Sequence, residues 1–393
     1  MVHFVVKKIQ LTTFQRFLRT ETVGGSILLL CAVVALVLAN SPLATVYEQF
    51  WQIPITIGIV DHSLSLTLQQ WINDALMAVF FLLVGLEIKR ELLVGELASV
   101  KKAALPIACA IGGMIVPAAI YWMFNRTGIG ARGWGVPMAT DIAFALGTLA
   151  LIAPRAPIGA KVFLTALAIV DDMGAVIVIA FFYSDAIALG ALGGAAVLLL
   201  ILIGFNAIRV RHLWPYWIVG IVFWYFVHES GIHGTVAGVL LAFTMPMYAS
   251  EGVTAPILRL EHALHNFSAF VVMPLFAFAN AGVRISGPVQ HAAIGIGVMA
   301  GLIIGKPLGV TAAAFVAVKS GIAKLPNGLS WMSLLGYAWL AGIGFAMSLF
   351  IAMLAFGEGR PLNAAKLGTF AGSLLAGIIA AIILKMTARE KSN

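Results

Sequence analysis

The chain has 393 residues, 61% of them hydrophobic and only 10% charged, and its mean hydropathy is +1.02. These values lie outside the range of soluble globular domains and describe a polytopic membrane protein. A formal net charge of +8 would suggest a nucleic-acid partner in a soluble chain, but here the basic residues follow membrane topology and no nucleic acid is expected.

Hydropathy predicts about twelve apolar segments, at roughly 22–39, 72–93, 102–124, 134–152, 162–182, 187–205, 213–227, 231–247, 257–280, 292–318, 333–356 and 364–385. The basic start followed by Val23 to Ala39 is like a signal sequence, yet its apolar stretch exceeds the usual length and suits an uncleaved first span. With the N-terminus inside, eighteen of the 24 Lys and Arg residues fall on the cytoplasmic side, Lys89, Arg90, Arg155 and Lys391 among them. Arg126, Arg132, Arg284, Arg360 and Lys366 fall outside, and Lys306 lies within a segment. This asymmetry predicts twelve crossings with both termini cytoplasmic. Cys31 and Cys109 both lie in apolar segments, so no disulfide framework is expected.

The stretch Ser41 to Trp71 contains no Lys or Arg, which marks it as external. Ile53-Pro-Ile-Thr-Ile-Gly-Ile and Leu64-Ser-Leu-Thr-Leu alternate with period 2 around Asp61-His62 and predict a β-hairpin at about 53–68. A lone hairpin is marginal, so this one is expected to pack on the surface or to pair with its copy in a homodimer.

Asp74, Glu87, Asp141, Asp171, Asp172, Glu229, Glu261 and Lys306 lie within or at the edges of apolar segments. Intramembrane charges generally face a bundle interior or a watery cavity and mark ion or proton pathways. Asp171 and Asp172 are adjacent in a run from Val162 to Tyr183 that holds no other charge. A carboxylate at the bilayer centre costs roughly 2.5–3.5 kcal/mol on insertion scales, so the pair calls for a compensating cation or proton. Exchange of one for the other would be transport. In Gly135-Val-Pro-Met-Ala-Thr-Asp-Ile-Ala-Phe-Ala-Leu-Gly147, Pro137 and the pair Thr140-Asp141 interrupt the segment, as Gly342 and Gly344 do in Leu340-Ala-Gly-Ile-Gly-Phe-Ala-Met-Ser348. Unwound backbone at membrane depth is tolerated where it is buried in protein or lines a cavity, and two interrupted segments in corresponding places point to an inverted-repeat transporter site. The repeats would cover about 102–183 and 292–386, inferred from topology within one transporter domain.

Each group also has a plainer role. Asp141 could cap a broken helix end, and the Thr140 hydroxyl could bond its own backbone. Lys306 could form a static ion pair with one of Asp171 and Asp172; neighbouring helical positions point about 100° apart, so one can face Lys306 and the other the broken crossing. Around Glu87, the charged turn could be interface anchoring, or Glu87 could join an ion-pair cluster with Glu261 and His265. His228, Glu229 and His233 lack the HExxH spacing of zinc proteases, and His233 is expected to be a buried polar residue.

Five motifs together, Trp71-Ile-Asn-Asp-Ala-Leu-Met-Ala-Val-Phe-Phe-Leu-Leu-Val-Gly-Leu-Glu87, Ala139-Thr-Asp-Ile-Ala-Phe-Ala-Leu-Gly147, Ala166-Leu-Ala-Ile-Val-Asp-Asp172, Pro274-Leu-Phe-Ala-Phe-Ala-Asn-Ala-Gly282 and Gly305-Lys-Pro-Leu-Gly309, resemble the NhaA family of bacterial sodium/proton antiporters over nearly the whole chain. The resemblance implies an all-α polytopic membrane protein of about 12 transmembrane helices, with inverted-topology repeats, discontinuous crossing helices at spans 4 and 11, and a small external β-hairpin that makes the dimer contact. It implies that Asp171 and Asp172 bind Na+, Li+ and protons, Asp172 touching the cation and Asp171 pairing with Lys306. Thr140 and Asp141 would line the crossing, their charge balancing half-helix dipoles. Glu87, Arg90, Glu261 and His265 would form a cluster for pH activation, with His233 at another position linked to pH response. The bacterial inner membrane and its lipid are the expected setting, with Na+, Li+ and H+ as substrates and no cofactor.

Competition between cation and protons for one site predicts inhibition at low internal pH, and two protons per Na+ would make exchange electrogenic. The membrane potential would contribute about 2.3 kcal/mol per net charge per 100 mV. An aspartyl protease could also use paired carboxylates, but no GxGD sequence surrounds these aspartates. A sugar or amino-acid symporter would need a larger pocket with polar and aromatic lining.

Overall fold

The computed structural model describes residues 2–59, 62–154, 156–184, 186–247, 256–285, 291–326 and 328–390. In chain order these form α1 (Val2–Ala39), α2 (Ala44–Trp51), strands β1 (Pro54–Ile59) and β2 (His62–Thr67), α3 (Leu68–Val94), α4 (Val100–Phe124), a 3-10 helix (Ile129–Met138), α5 (Ile142–Ile152), α6 (Ile158–Phe182), α7 (Leu189–Ala207), α8 (Trp214–Glu229), α9 (Gly234–Thr244), α10 (Ile257–Asn280), α11 (Ala292–Lys319), α12 (Trp331–Ala341), α13 (Phe345–Phe356) and α14 (Arg360–Glu390). The strands pair antiparallel from Pro54 opposite Thr67 to Ile59 opposite His62, and Ile53, Ile55 and Ile57 are exposed. The turn with Asp61, like Arg155 and Lys391, lies outside the described residues.

Eight helices among the described residues are long and apolar enough to cross a membrane, or ten if each of two bent helix pairs is one span. Helices α8 and α9, in the two remaining apolar segments, have 16 and 11 residues. At 1.5 Å per residue, 11 residues extend about 16 Å, against a hydrocarbon core of about 30 Å. Helix α7 shows why the setting is lipid: only Ala195 and Leu202 are buried on it, while Val197, Leu200, Ile201 and Ile203 are exposed. Water would penalise such a surface.

Two compact units divide the chain. One comprises Met1–Cys31, Ser99–Asp171 and Gly287–Asn393, the other Ala32–Ala98 and Asp172–Ser286. In the first, α4 lies tightly against α11: a Cβ on Gly112 would strike the Gly309 carbonyl, and one on Gly309 the Gly112 carbonyl. That approach sets the depth of Lys306, three residues before Gly309. The five residues Gly301–Gly305 of α11 form a π-turn just ahead of Lys306-Pro307. Proline lacks an N–H and clashes with the carbonyl four residues back, and the wider turn takes up that misfit. Another π-turn, Ser268–Val272, likewise precedes Pro274 in α10, whereas a third, Ile72–Leu76 in α3, has no proline after it.

In the second unit, α3 packs against α9 around a core that includes Leu82, Leu86, Tyr216, Phe223 and Leu241. Lys89, a flanking cation by sequence, is buried. It donates to the Phe243 and Met245 carbonyls at 2.7 and 2.5 Å, where a cation suits the exposed C-terminal end of α9. Tyr47 of α2 donates to the Phe278 carbonyl at 2.5 Å. Burial pushes its hydroxyl up to about 12, so it stays a neutral donor well into the alkaline range.

Candidate functional site

The first unit brings Thr140, Asp141, Asp171 and Lys306 to one place. Two pairs of short elements are each bent at a break of a few residues, the 3-10 helix with α5 by 45° and α12 with α13 by 46°. Each break leaves unpaired amides on one side and unpaired carbonyls on the other, and these four ends meet side chains of complementary character. Asp141 serves both positive ends, since Oδ1 accepts from the Phe144 amide of α5 and Oδ2 from the Ala346 amide of α13, each at 3.0 Å. Its own amide donates to the Ile343 carbonyl at 2.7 Å. Carbonyls on the other sides receive donors: the Thr140 hydroxyl donates to Ala341 at 2.7 Å, and Lys306 donates to Met138. Ser348 adds a bond from α13 to the Val136 carbonyl at 2.8 Å. Apart from the half-buried Phe144, these residues are buried, where charge-to-dipole contacts are strongest.

Lys306 Nζ also lies 2.6 Å from Asp171 Oδ2, and both side chains are 1% exposed. The other Asp171 oxygen, Oδ1, is buried on the side of Thr140. Thr140 stands beside Asp171 with its own proton given to Ala341. Asp172 follows on α6 and is 3% exposed. A buried carboxylate can take a proton or a hard cation, and the neighbouring ammonium makes either change a matter of charge balance.

The second unit holds two separate groups. Arg90 lies 3.2 Å from Glu91 and 3.3 Å from Glu261, and His265 lies 3.7 Å from Glu87, while Glu87 is close enough to Glu261 for their charges to repel. His233 stands apart from them. Its Nε2 is 2.9 Å from Asp74 Oδ1, and Asp74 and Glu87 are thirteen residues apart on α3, about 20 Å along a helix. His233 Nδ1 lies 2.9 Å from the Thr235 hydroxyl and 3.4 Å from the Thr235 amide, capping α9.

Residues 15–384 match the family described as Na+/H+ antiporter 1. The Na(+)/H(+) antiporter NhaA of Rhodospirillum rubrum is 48% identical over 390 residues, covering 96% of this chain and 98% of that protein. That of Rhizobium etli is 49% identical over 384 residues, with 95% of each chain covered, and that of Pelagibacter ubique 44% over 382, with 96% and 98% covered. The chain belongs to the Na+/H+ antiporter 1 family.

For this family member, sequence reasoning named the residues of the crossing but not all of their partners. It missed the caps from Ser348 and Lys89 and the pairing of His233 with Asp74. It also counted Lys366 among the external flanking cations, whereas Lys366 is buried in the second turn of α14 at 5% exposure. A lysine inside an apolar run was the available signal, the same one that singled out Lys306.

Proposed function

We propose that the protein is a secondary antiporter that exports Na+, and Li+ in its place, in exchange for H+ taken up across the bacterial inner membrane. The observation that carries this reading is the buried Lys306–Asp171 pair, with Asp172 next on the same helix. Sodium binds Asp172 with help from Asp171, and backbone or water oxygens complete its shell, as hard cations prefer. Sodium replaces the ammonium as counter-charge for Asp171, Lys306 is released, and the two carboxylates cannot hold protons and cation together. The proton inventory therefore belongs to the coupled group.

Two protons per Na+ make the cycle electrogenic. Acid pH favours the proton-loaded state, so exchange rises with pH, and the Glu87, Arg90, Glu261 and His265 cluster, with His233, sharpens that rise. Asp141 and Thr140 hold the crossing against the dipoles of its own half-elements. The reading includes twelve crossings with both termini cytoplasmic, inverted repeats over about 102–183 and 292–386, surrounding lipid, and a homodimer through the hairpin, whose exposed isoleucines are free to meet a copy. An aspartyl protease is disfavoured because a carboxylate bonded to an ammonium cannot share a proton within a dyad.

The test is reconstitution in liposomes with an acid lumen, following lumenal pH after addition of Na+, Li+ or K+. Alkalinisation by Na+ and Li+ but not K+, lost in Asp172→Asn, is expected. No Na+-dependent change at any pH from about 6.5 to 8.5 would overturn the reading.

A further inference from the structure

Helix α14 touches the broken crossing through one side chain whose role nothing above assigns. Ser373 Oγ accepts a hydrogen bond from the Phe345 amide at 3.1 Å, and both residues are buried. Phe345 is the first residue of α13, and the next amide along, Ala346, is the one that Asp141 Oδ2 accepts. Two adjacent amides of one helix N-terminus are thus divided between two side chains, a neutral hydroxyl from α14 and a carboxylate from the facing break. The neutral acceptor keeps the outer amide off the carboxylate.

We infer that Ser373 is a positioning residue for Asp141 and, through it, for cation exchange, a role that rests on the antiport reading above. An amide at a helix N-terminus cannot remain unsatisfied in a buried place without cost. Without the serine hydroxyl, the Phe345 amide turns to the acceptors that remain at the break, and the carboxylate already bound to its neighbour is the charged one among them. Asp141 then accepts from both amides, its charge is drawn toward α13, and its hold on the Phe144 amide of α5 loosens. The negative potential that Asp141 supplies at the crossing falls, and with it the attraction for a cation. The exchange keeps its chemistry and requires more sodium to run.

Ser373→Ala and Ser373→Thr, each reconstituted as the full chain, test this. Half-maximal exchange in Ser373→Ala is expected at about two- to ten-fold higher Na+, a larger change than any fall in maximal rate, and Ser373→Thr, which keeps the hydroxyl, recovers most of the difference. Amide hydrogen exchange over 343–348 reads the cap independently of transport: it accelerates in Ser373→Ala and returns toward wild type in Ser373→Thr. Unchanged amide protection in Ser373→Ala would overturn the cap, and faster amide exchange with unchanged sodium dependence would overturn the positioning role. A wild-type protein that shows no Na+-coupled pH change refutes the proposed function and the exchange role together, while the amide measurement still decides the cap.

Discussion

The crossing and the Glu87–His265 cluster both gather opposite charges, yet they are built differently. At the crossing, Lys306 and Asp171 are each 1% exposed and 2.6 Å apart, and every broken helix end has a buried partner. In the cluster the contacts run from 3.2 to 3.7 Å, and the Arg90 side chain is 36% exposed although its partner Glu261 is only 9% exposed. Removing a partner from a buried pair strands a charge and costs several kcal/mol, whereas pairs open to solvent are worth about 0–1 kcal/mol. The first arrangement can hold a tightly balanced charge state. The second is looser, with longer contacts and one partner partly open to solvent.

The largest test of that contrast is Lys306→Gln, which strands Asp171 and should cost about 3–5 kcal/mol, read as a lower melting temperature in detergent. The loss should shrink at acid pH, where the stranded carboxyl is protonated, and the double variant with Asp171→Asn should recover most of it. A single variant as stable as wild type would place the pair with the weak surface contacts. Asp141→Ala comes next: it removes caps from two helix N-termini at about 0.5–2 kcal/mol each, and Asp141→Asn, which retains an acceptor, should fall between it and wild type.

Tyr47→Phe provides a reference outside the membrane-spanning segments. Losing its buried bond to Phe278 should cost about 1 kcal/mol. Because the tyrosine is raised from 10 to about 12 by burial, the neutral form is the one the fold favours. Its contribution is fully present below pH 10 and disappears as pH rises through about 12, so chemical denaturation at pH 7 and pH 9 should give the same difference. The smallest stability effect belongs to Arg90→Ala, under about 1 kcal/mol. It removes the cation that faces the buried Glu261 carboxylate, and the pH of half-maximal exchange should therefore move. A large loss of stability with an unmoved pH profile would reverse the comparison.

Much of the crossing was legible because apolar segments provide a sharp background. A charge at Asp141, Asp171 or Lys306 stands out against it, as does Pro137 or the Gly342–Gly344 pair, and each has few physical explanations in lipid. Serines such as Ser348 and Ser373 do not stand out, since a hydroxyl can satisfy itself on its own helix and only the tertiary arrangement reveals the amide or carbonyl it serves. The π-turns before Pro274 and Lys306-Pro307 were hidden for a related reason: proline signals strain, but not whether a helix kinks, ends or widens. The sequence predicts His233 as a buried polar residue, whereas it is half-buried against Asp74, which in sequence is only a charge near a helix end.

The central claim is that cation and protons compete for the carboxylates of α6. Sodium titrated calorimetrically into the detergent-solubilised protein, in buffers of different ionisation enthalpy, measures that competition without requiring transport. The account predicts that Na+ binding releases protons near neutral pH and that both binding and release vanish in Asp172→Asn. Sodium binding with no proton release at any pH from about 6.5 to 8.5 would contradict it.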